Sequence, residues 1–445
     1  MSRAAALLLL PTLLVACSNY RVIHEGQVQP TVVDAVKKKV ARVRDLPFVA
    51  PVPVVAVSAS EARAMLETEM NREYEAGELA ELSRVYRAFG LLPPGADLEK
   101  SFLDLYGQEV AGFYDPIERR MVLVTEALGS SPATRVVENV FRRDIVGELV
   151  LAHELTHALQ DQHFGLDVGR GDLGEDDAQL ARRAVYEGDA LLAGFGVTLG
   201  RLTRRRAVRM AGKLEDAPTQ MAAAYPDIPD LIRETTLFQY VAGSNFVSWA
   251  YKQAGWEGVD ALLAEPPRST EQVLHPEKYF VTPEYPLAVN LGGLTPYLKD
   301  DWKRVEETTL GELVVRILGE QFLPPQRATQ VAAGWNGDRL VALTRDDDIS
   351  LVWLTAWDRE EDAQEFFDAY SSILTTRLES TPMQIDDTIV AGIGTRPYRL
   401  ERRGTKCLAI EGTLDPDLDA LAARVWRRSR YEAAVPWIPL DLASR

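Results

Sequence analysis

The stretch DIVGELVLAHELTHALQDQHF, residues 144–164, constrains this chain more than any other. It has no proline, its one glycine is Gly147, and Val146, Leu149, Val150 and Ala152 recur at helical spacing, which predicts an α-helix. Within it, His153-Glu154-Leu155-Thr156-His157 forms the pattern H-E-x-x-H. Residues four apart share a helix face, so His153 and His157 can reach one metal ion. Glu154 stands beside that face, where it can take a proton from metal-bound water. The chain has only five histidines and three of them fall within eleven residues, so a pair that merely hydrogen-bonds in a core helix is the weaker reading. The expected cofactor is Zn2+.

At 445 residues the chain exceeds one ordinary core and predicts two folded domains. With 46% hydrophobic and 26% charged residues it is globular in composition. The net charge of −17 argues against nucleic acid as a partner, since such binders carry a basic footprint.

Residues 1–16 read as a signal peptide: Arg3 precedes an apolar run over residues 4–16, too short to span a bilayer. The run ends in Leu14-Val15-Ala16-Cys17, which resembles a bacterial lipobox. A lipidated Cys17 makes the expected mature protein exported and tethered to a membrane. Ser18 fits sorting to the outer membrane, at its periplasmic face, in a Gram-negative organism. An ordinary signal peptide with an incidental cysteine is the alternative. Cys407 is then the only other cysteine, so no intramolecular disulfide forms, and its apolar run predicts a buried strand.

Residues 17–50 read as an irregular tether, with Lys37-Lys38-Lys39 as a solvated face. Residues 51–325 form the expected first domain, mostly helical. It contains a short strand ending at Val57 and a helical region from the capping box at Ser58 and Glu61 to about Phe89. A strand over residues 119–124 stands where an edge strand would pair with extended substrate, a structural hairpin being the alternative. An acidic run over 172–177 is expected to cap the next helix and face solvent. Arg201, Arg204, Arg205, Arg206 and Arg209 read as a solvated helix face in preference to a membrane-facing patch. A further helix is expected over 230–254. Residues 326–445 form the expected accessory domain, small and α+β, with Asn336-Gly337-Asp338 as a hairpin turn, strands at 349–357 and around Ile389, Tyr398 and Leu408, and helices near 363–374 and 418–430. The expected fold class is thus α+β.

A catalytic zinc needs three protein ligands. His163 has the spacing of the pattern H-E-x-x-H-x-x-G-x-x-H, but Gln160 replaces the glycine that would turn the chain back. Glu187 is the other candidate, on the next helix within a largely apolar run where a buried carboxylate needs a partner. The residues leave both open.

His153 to Gln162 (HELTHALQDQ) followed by Glu187-Gly188-Asp189-Ala190 resembles the gluzincin-type zinc metallopeptidases, and within them a little-characterised group of secreted or membrane-anchored bacterial and archaeal members. Residues 112–116 and 269–279 (STEQVLHPEKY) also resemble that group, and the likeness covers roughly residues 46–285. The resemblance implies a mostly helical zincin-like domain, with His153, His157 and Glu187 as ligands and Glu154 as base. The expected function is then a membrane-anchored peptidase acting on peptide or protein substrates of the cell envelope. His275 and Tyr240 are candidate donors to the tetrahedral oxyanion, and Asp189 or Asp161 to orient a ligand histidine. The competing functions are a non-catalytic envelope protein on the same scaffold, and zinc hydrolysis of a non-peptide bond.

Overall fold

The computed structural model describes residues 20–109, 111–126, 143–166, 176–200, 202–212, 214, 217–294, 301–391, 396–412 and 418–433. The signal peptide, Cys17, Arg201 and the acidic residues 172–175 lie outside the described residues.

Ile145–Phe164 forms a single helix, the motif helix. Asp144 opens it by accepting the Gly147 N–H at 2.9 Å, and Gly165, at φ 76°, follows its end. Leu151, Ala152, Leu155, Ala158 and Leu159 bury one side of it, leaving His153, Glu154 and His157 at a cleft.

Two longer helices complete the frame: Asp176–Leu199, the glutamate helix, and Asp230–Ala254, the tyrosine helix. The glutamate helix packs against both of the others. Its crossing with the tyrosine helix is set by two glycines. A methyl group on Gly243 would lie 2.1 Å from the Ala184 carbonyl oxygen, and one on Gly188 would lie 2.4 Å from that of Gly243. Without side chains there, the backbones touch, and Glu187 and Tyr240 reach the same cleft.

A three-stranded sheet flanks the motif helix. Arg120–Val124 is its middle strand, parallel to Val54–Val57 and antiparallel to Gly112–Asp115. The strand expected to be a substrate-pairing edge is therefore covered on both sides, and the edge nearest the cleft is Gly112–Asp115. The helical region after Ser58 is two helices, Ala59–Glu73 and Glu78–Phe89, with the capping box formed and Gly77 at φ 85° between them.

The second half builds a seven-stranded antiparallel sheet. Its order is Met383–Ile385, Thr388–Ala391, Tyr398–Arg403, Lys406–Glu411, Asp348–Trp357, Trp335–Arg345 and Lys303–Thr308. Helix Glu360–Arg377 packs on this sheet, and Cys407 is buried in its strand as expected. The largest apolar cluster runs from Leu79 and Phe89 through Tyr186 and Phe246 to Trp353 and Ala409, so helices and sheet share one core. The chain is a mixed α and β protein in which helices predominate.

Three expectations change. Residues 17–50 contain the helix Pro30–Arg44, because Val33, Val36 and Val40 recur at helical spacing and are buried. Two of its three lysines are engaged: Lys37 donates to the Val52 carbonyl at 2.5 Å, and Lys39 lies 3.0 Å from Glu148, while Lys38 is exposed. Asn336-Gly337-Asp338 is no hairpin turn but a bulge inside one strand. Gly337 sits at φ 150° with no room for a Cβ, and the buried Asp338 accepts hydrogen bonds from Trp335 and Trp353 Nε1–H and from the Leu310 and Gly311 N–H groups. The turn instead falls at Asp346 and Asp347, with Asp346 at φ 51°. Asp177, expected to face solvent, is buried and accepts hydrogen bonds from the Thr270 N–H and hydroxyl.

Candidate metal centre and cleft

His153, His157 and Glu187 bring one ligand atom each within 4.8 Å of one another. His153 Nε2 and His157 Nε2 face each other at 3.2 Å, and Glu187 places Oε2 3.0 Å from the first and Oε1 3.6 Å from the second. This follows from local geometry: a four-residue step on the motif helix stacks the imidazoles, and the glycine crossing presses the glutamate helix against them. Glu187 Oε2 is inaccessible to solvent and has no aligned hydrogen-bond donor among the described residues, although His153 is at ion-pair distance. A buried carboxylate oxygen between two imidazole nitrogens, without a donor of its own, is a donor set that fits a zinc-like cation.

The tautomer of His157 is fixed from behind. Its Nδ1 lies 2.8 Å from Gln160 Oε1, while Gln160 Nε2 donates to the Tyr186 carbonyl at 3.0 Å and to Asp189 Oδ2 at 2.9 Å. Two acceptors on the amide nitrogen orient the Gln160 carbonyl toward the imidazole, so Nδ1 donates to Gln160 and Nε2 is the nitrogen that faces the cleft. Asp189 is held in turn by Arg44 Nε at 2.8 Å, and Arg44 also contacts Asp260 at 2.7 Å and stacks 4.5 Å over Trp256. Asp189 thus acts on the histidine through Gln160. Neither Gln160 nor Arg44 stood out in the sequence. Gln160 lies one turn beyond His157, which is a usable signal, whereas nothing local marks Arg44.

Glu154 accepts the Tyr114 N–H at 2.9 Å. Burial raises its carboxyl above the ordinary range, outweighing the two imidazoles that pull it down. Burial alone would depress His157, but Glu187 pushes it up to about 9. Burial alone would raise Glu187, and the two imidazoles instead hold it below the usual carboxylate range.

The cleft encloses about 660 Å³ and includes Gly112, Phe113, Tyr114 and Tyr240 beside these groups. Its remaining lining is mixed, with apolar Leu66, Met70, Phe102, Leu180 and Leu231 beside charged Glu69, Glu73, Asp176, Arg183 and Glu306. The Tyr240 ring centroid lies 6.2 Å from that of His153. The other sequence candidates lie apart. His275 follows the short helix Thr270–Leu274 and pairs through Nε2 with Glu312 at 2.9 Å, away from the cleft lining. The structure does not bring its ring into the cleft lining beside His153 and Glu154. His163 faces the Pro47 carbonyl at 2.7 Å, because the helix continues straight past Gln160. Asp161 accepts the Tyr114 hydroxyl at 2.8 Å and so ties the edge strand to the motif helix, not a ligand histidine. A second acidic group, Glu271, Glu284 and Asp358, converges on the chain's own Lys278 ammonium at 2.7, 2.9 and 3.1 Å.

Comparison with known proteins adds one finding. A family model described as a domain of unknown function (DUF8575) matches residues 298–422. That span holds the seven-stranded sheet and none of the three converging side chains. No curated protein matches the chain, and no solved structure does.

Proposed function

We propose that the protein is a zinc-dependent peptidase with a zincin-like, gluzincin-type catalytic unit, exported and held at a membrane through Cys17. The observation that carries this reading is the convergence of His153, His157 and the donor-poor Glu187 carboxylate beside a buried Glu154, at the floor of an open cleft. His153 Nε2, His157 Nε2 and Glu187 would hold the ion. A bound zinc supplies Lewis-acid chemistry, polarising a scissile carbonyl and acidifying a water. Glu154 takes the proton from the attacking water and hands it to the leaving amine, and its raised carboxyl suits both transfers. Tyr114 holds Glu154 through its N–H while its hydroxyl is tied to Asp161, so the base and the cleft edge move together. Tyr240, beside His153, is the candidate donor to the developing oxyanion. Leu66, Met70, Phe102, Leu180 and Leu231 would offer apolar surface to side chains of a bound peptide away from the cleaved bond. The sheet of residues 298–422 acts as an accessory unit built onto the catalytic frame.

The test is cleavage of a complex peptide mixture by the full chain, read as new termini by mass spectrometry, with Glu154→Gln alongside. Cleavage by the parent and none by the variant is expected. Equal cleavage by both rules out Glu154 as base, and no cleavage by a zinc-loaded parent turns the reading toward a binding scaffold.

A further inference from the structure

A second cavity of about 630 Å³ opens on the other side of the tyrosine helix, within the roughly 300–1,000 Å³ of small-molecule sites. Its walls are largely apolar, including Leu237, Phe238, Val241, Trp249 and Leu274. One wall is Val208, which stands 47% exposed on the helix Arg204–Gly212. That helix buries Ala207 and Ala211 and presents Arg204, Arg205 and Arg209 to solvent. In a chain of net charge −17, the side chains of these three arginines form no hydrogen bond or ion pair with any described residue. Lys252, on the cavity rim, is exposed and equally unengaged. The only carboxylate in the lining is Glu234, which lies 3.8 Å from Arg316.

We propose that this cavity and the arginine helix form one binding site for an anionic phospholipid at a bilayer surface. The headgroup sits against Arg204, Arg205, Arg209 and Lys252, and an acyl chain enters past Val208. Cations with no partner among the described residues, on a helix whose Val208 lines an apolar opening, are the chemistry such a lipid requires, because charge and hydrocarbon must be met side by side. Among the described residues no helix is long and apolar enough to cross a membrane. The lipid contact would hold the chain at the bilayer surface independently of any anchor at Cys17 and of any peptidase activity.

The test uses the full chain carrying Cys17→Ser, which removes the expected acyl anchor. It is sedimented with vesicles of phosphatidylcholine alone or of equal parts phosphatidylcholine and phosphatidylglycerol, and titrated separately with oleate by calorimetry. Binding to the phosphatidylglycerol vesicles and not to phosphatidylcholine is expected. The combined change Arg204→Gln, Arg205→Gln, Arg209→Gln should weaken it at least roughly tenfold. Val208→Asp, at the rim, and Ala242→Phe, which fills the cavity, should also weaken it while the circular dichroism spectrum stays unchanged. Equal vesicle binding by the arginine variant overturns the proposal. So does a parent chain that binds neither vesicle, or that binds oleate alone.

Discussion

Gln160 determines which nitrogen of His157 meets the cleft. Its amide nitrogen is spoken for by the Tyr186 carbonyl and Asp189, so its oxygen must face His157 Nδ1. Gln160→Leu keeps the bulk and removes that acceptor. Partners of this kind typically contribute 10–100-fold to metal affinity, and a loss of about that size is expected by competition against a zinc chelator, with the fold retained. His153, Glu154 and His157 could be found in the sequence because their relation is one helical turn. Glu187 could be narrowed to one of two candidates because a carboxylate in an apolar run needs a reason. Gln160 was masked by its apparent role as a substitution in a different ligand pattern. Arg44 was out of reach altogether, since its partners Asp189 and Asp260 are joined to it only by the finished fold. His275 misled because a histidine downstream of the ligands is compatible with folding back over them, and only packing shows it held by Glu312.

At the level of elements, the site depends on how closely two helices cross. Gly243→Ala would set a methyl group 2.1 Å from a backbone oxygen, which no rotamer change can relieve. Alanine's helix propensity favours the substitution by about 1 kcal/mol, but overpacking of about 1–3 kcal/mol against rigid backbone should dominate. A lower urea midpoint is expected, with weakened zinc binding because Glu187 follows the displaced helix. Helices and strands with clear periodicity were readable from the sequence, including the motif and tyrosine helices and the strand Asp348–Trp357. The Asn-Gly-Asp signal failed for a physical reason. Gly337 serves a close approach to the Leu287 carbonyl, and Asp338 is buried by four hydrogen-bond donors, so turn-forming residues are used for a bulge.

Across the whole molecule, distant segments lock the frame that brings His153, His157 and Glu187 together. Helix Pro30–Arg44 packs on both the motif and glutamate helices, and sends Lys39 to Glu148 and Arg44 to Asp189. Phe89 meets Trp353 edge to face at 5.3 Å, which joins the helical part to the sheet. The strand Lys303–Thr308 already belongs to that sheet, ahead of the expected boundary near Pro324-Pro325. Burial would raise the Glu148 carboxyl, but Arg143 and Lys39 outweigh it and hold it below the ordinary range. A carboxylate lowered on folding stabilises the fold above its unfolded pKa of about 4.3, and the contribution is lost as pH falls through the folded value. Urea unfolding across that acid range should therefore lose stability in the parent and show a shallower slope in Glu148→Gln. An unchanged slope would mean that Arg143 and Lys39 do not lower the Glu148 carboxyl on folding.

The most direct measurement is the zinc content and affinity of the purified full chain beside Glu187→Gln. One zinc per chain is expected in the parent, with affinity reduced about tenfold or more when Glu187 loses its charge. A parent that takes up no zinc, or a variant that binds it as tightly, would mean that His153, His157 and Glu187 do not form one metal centre.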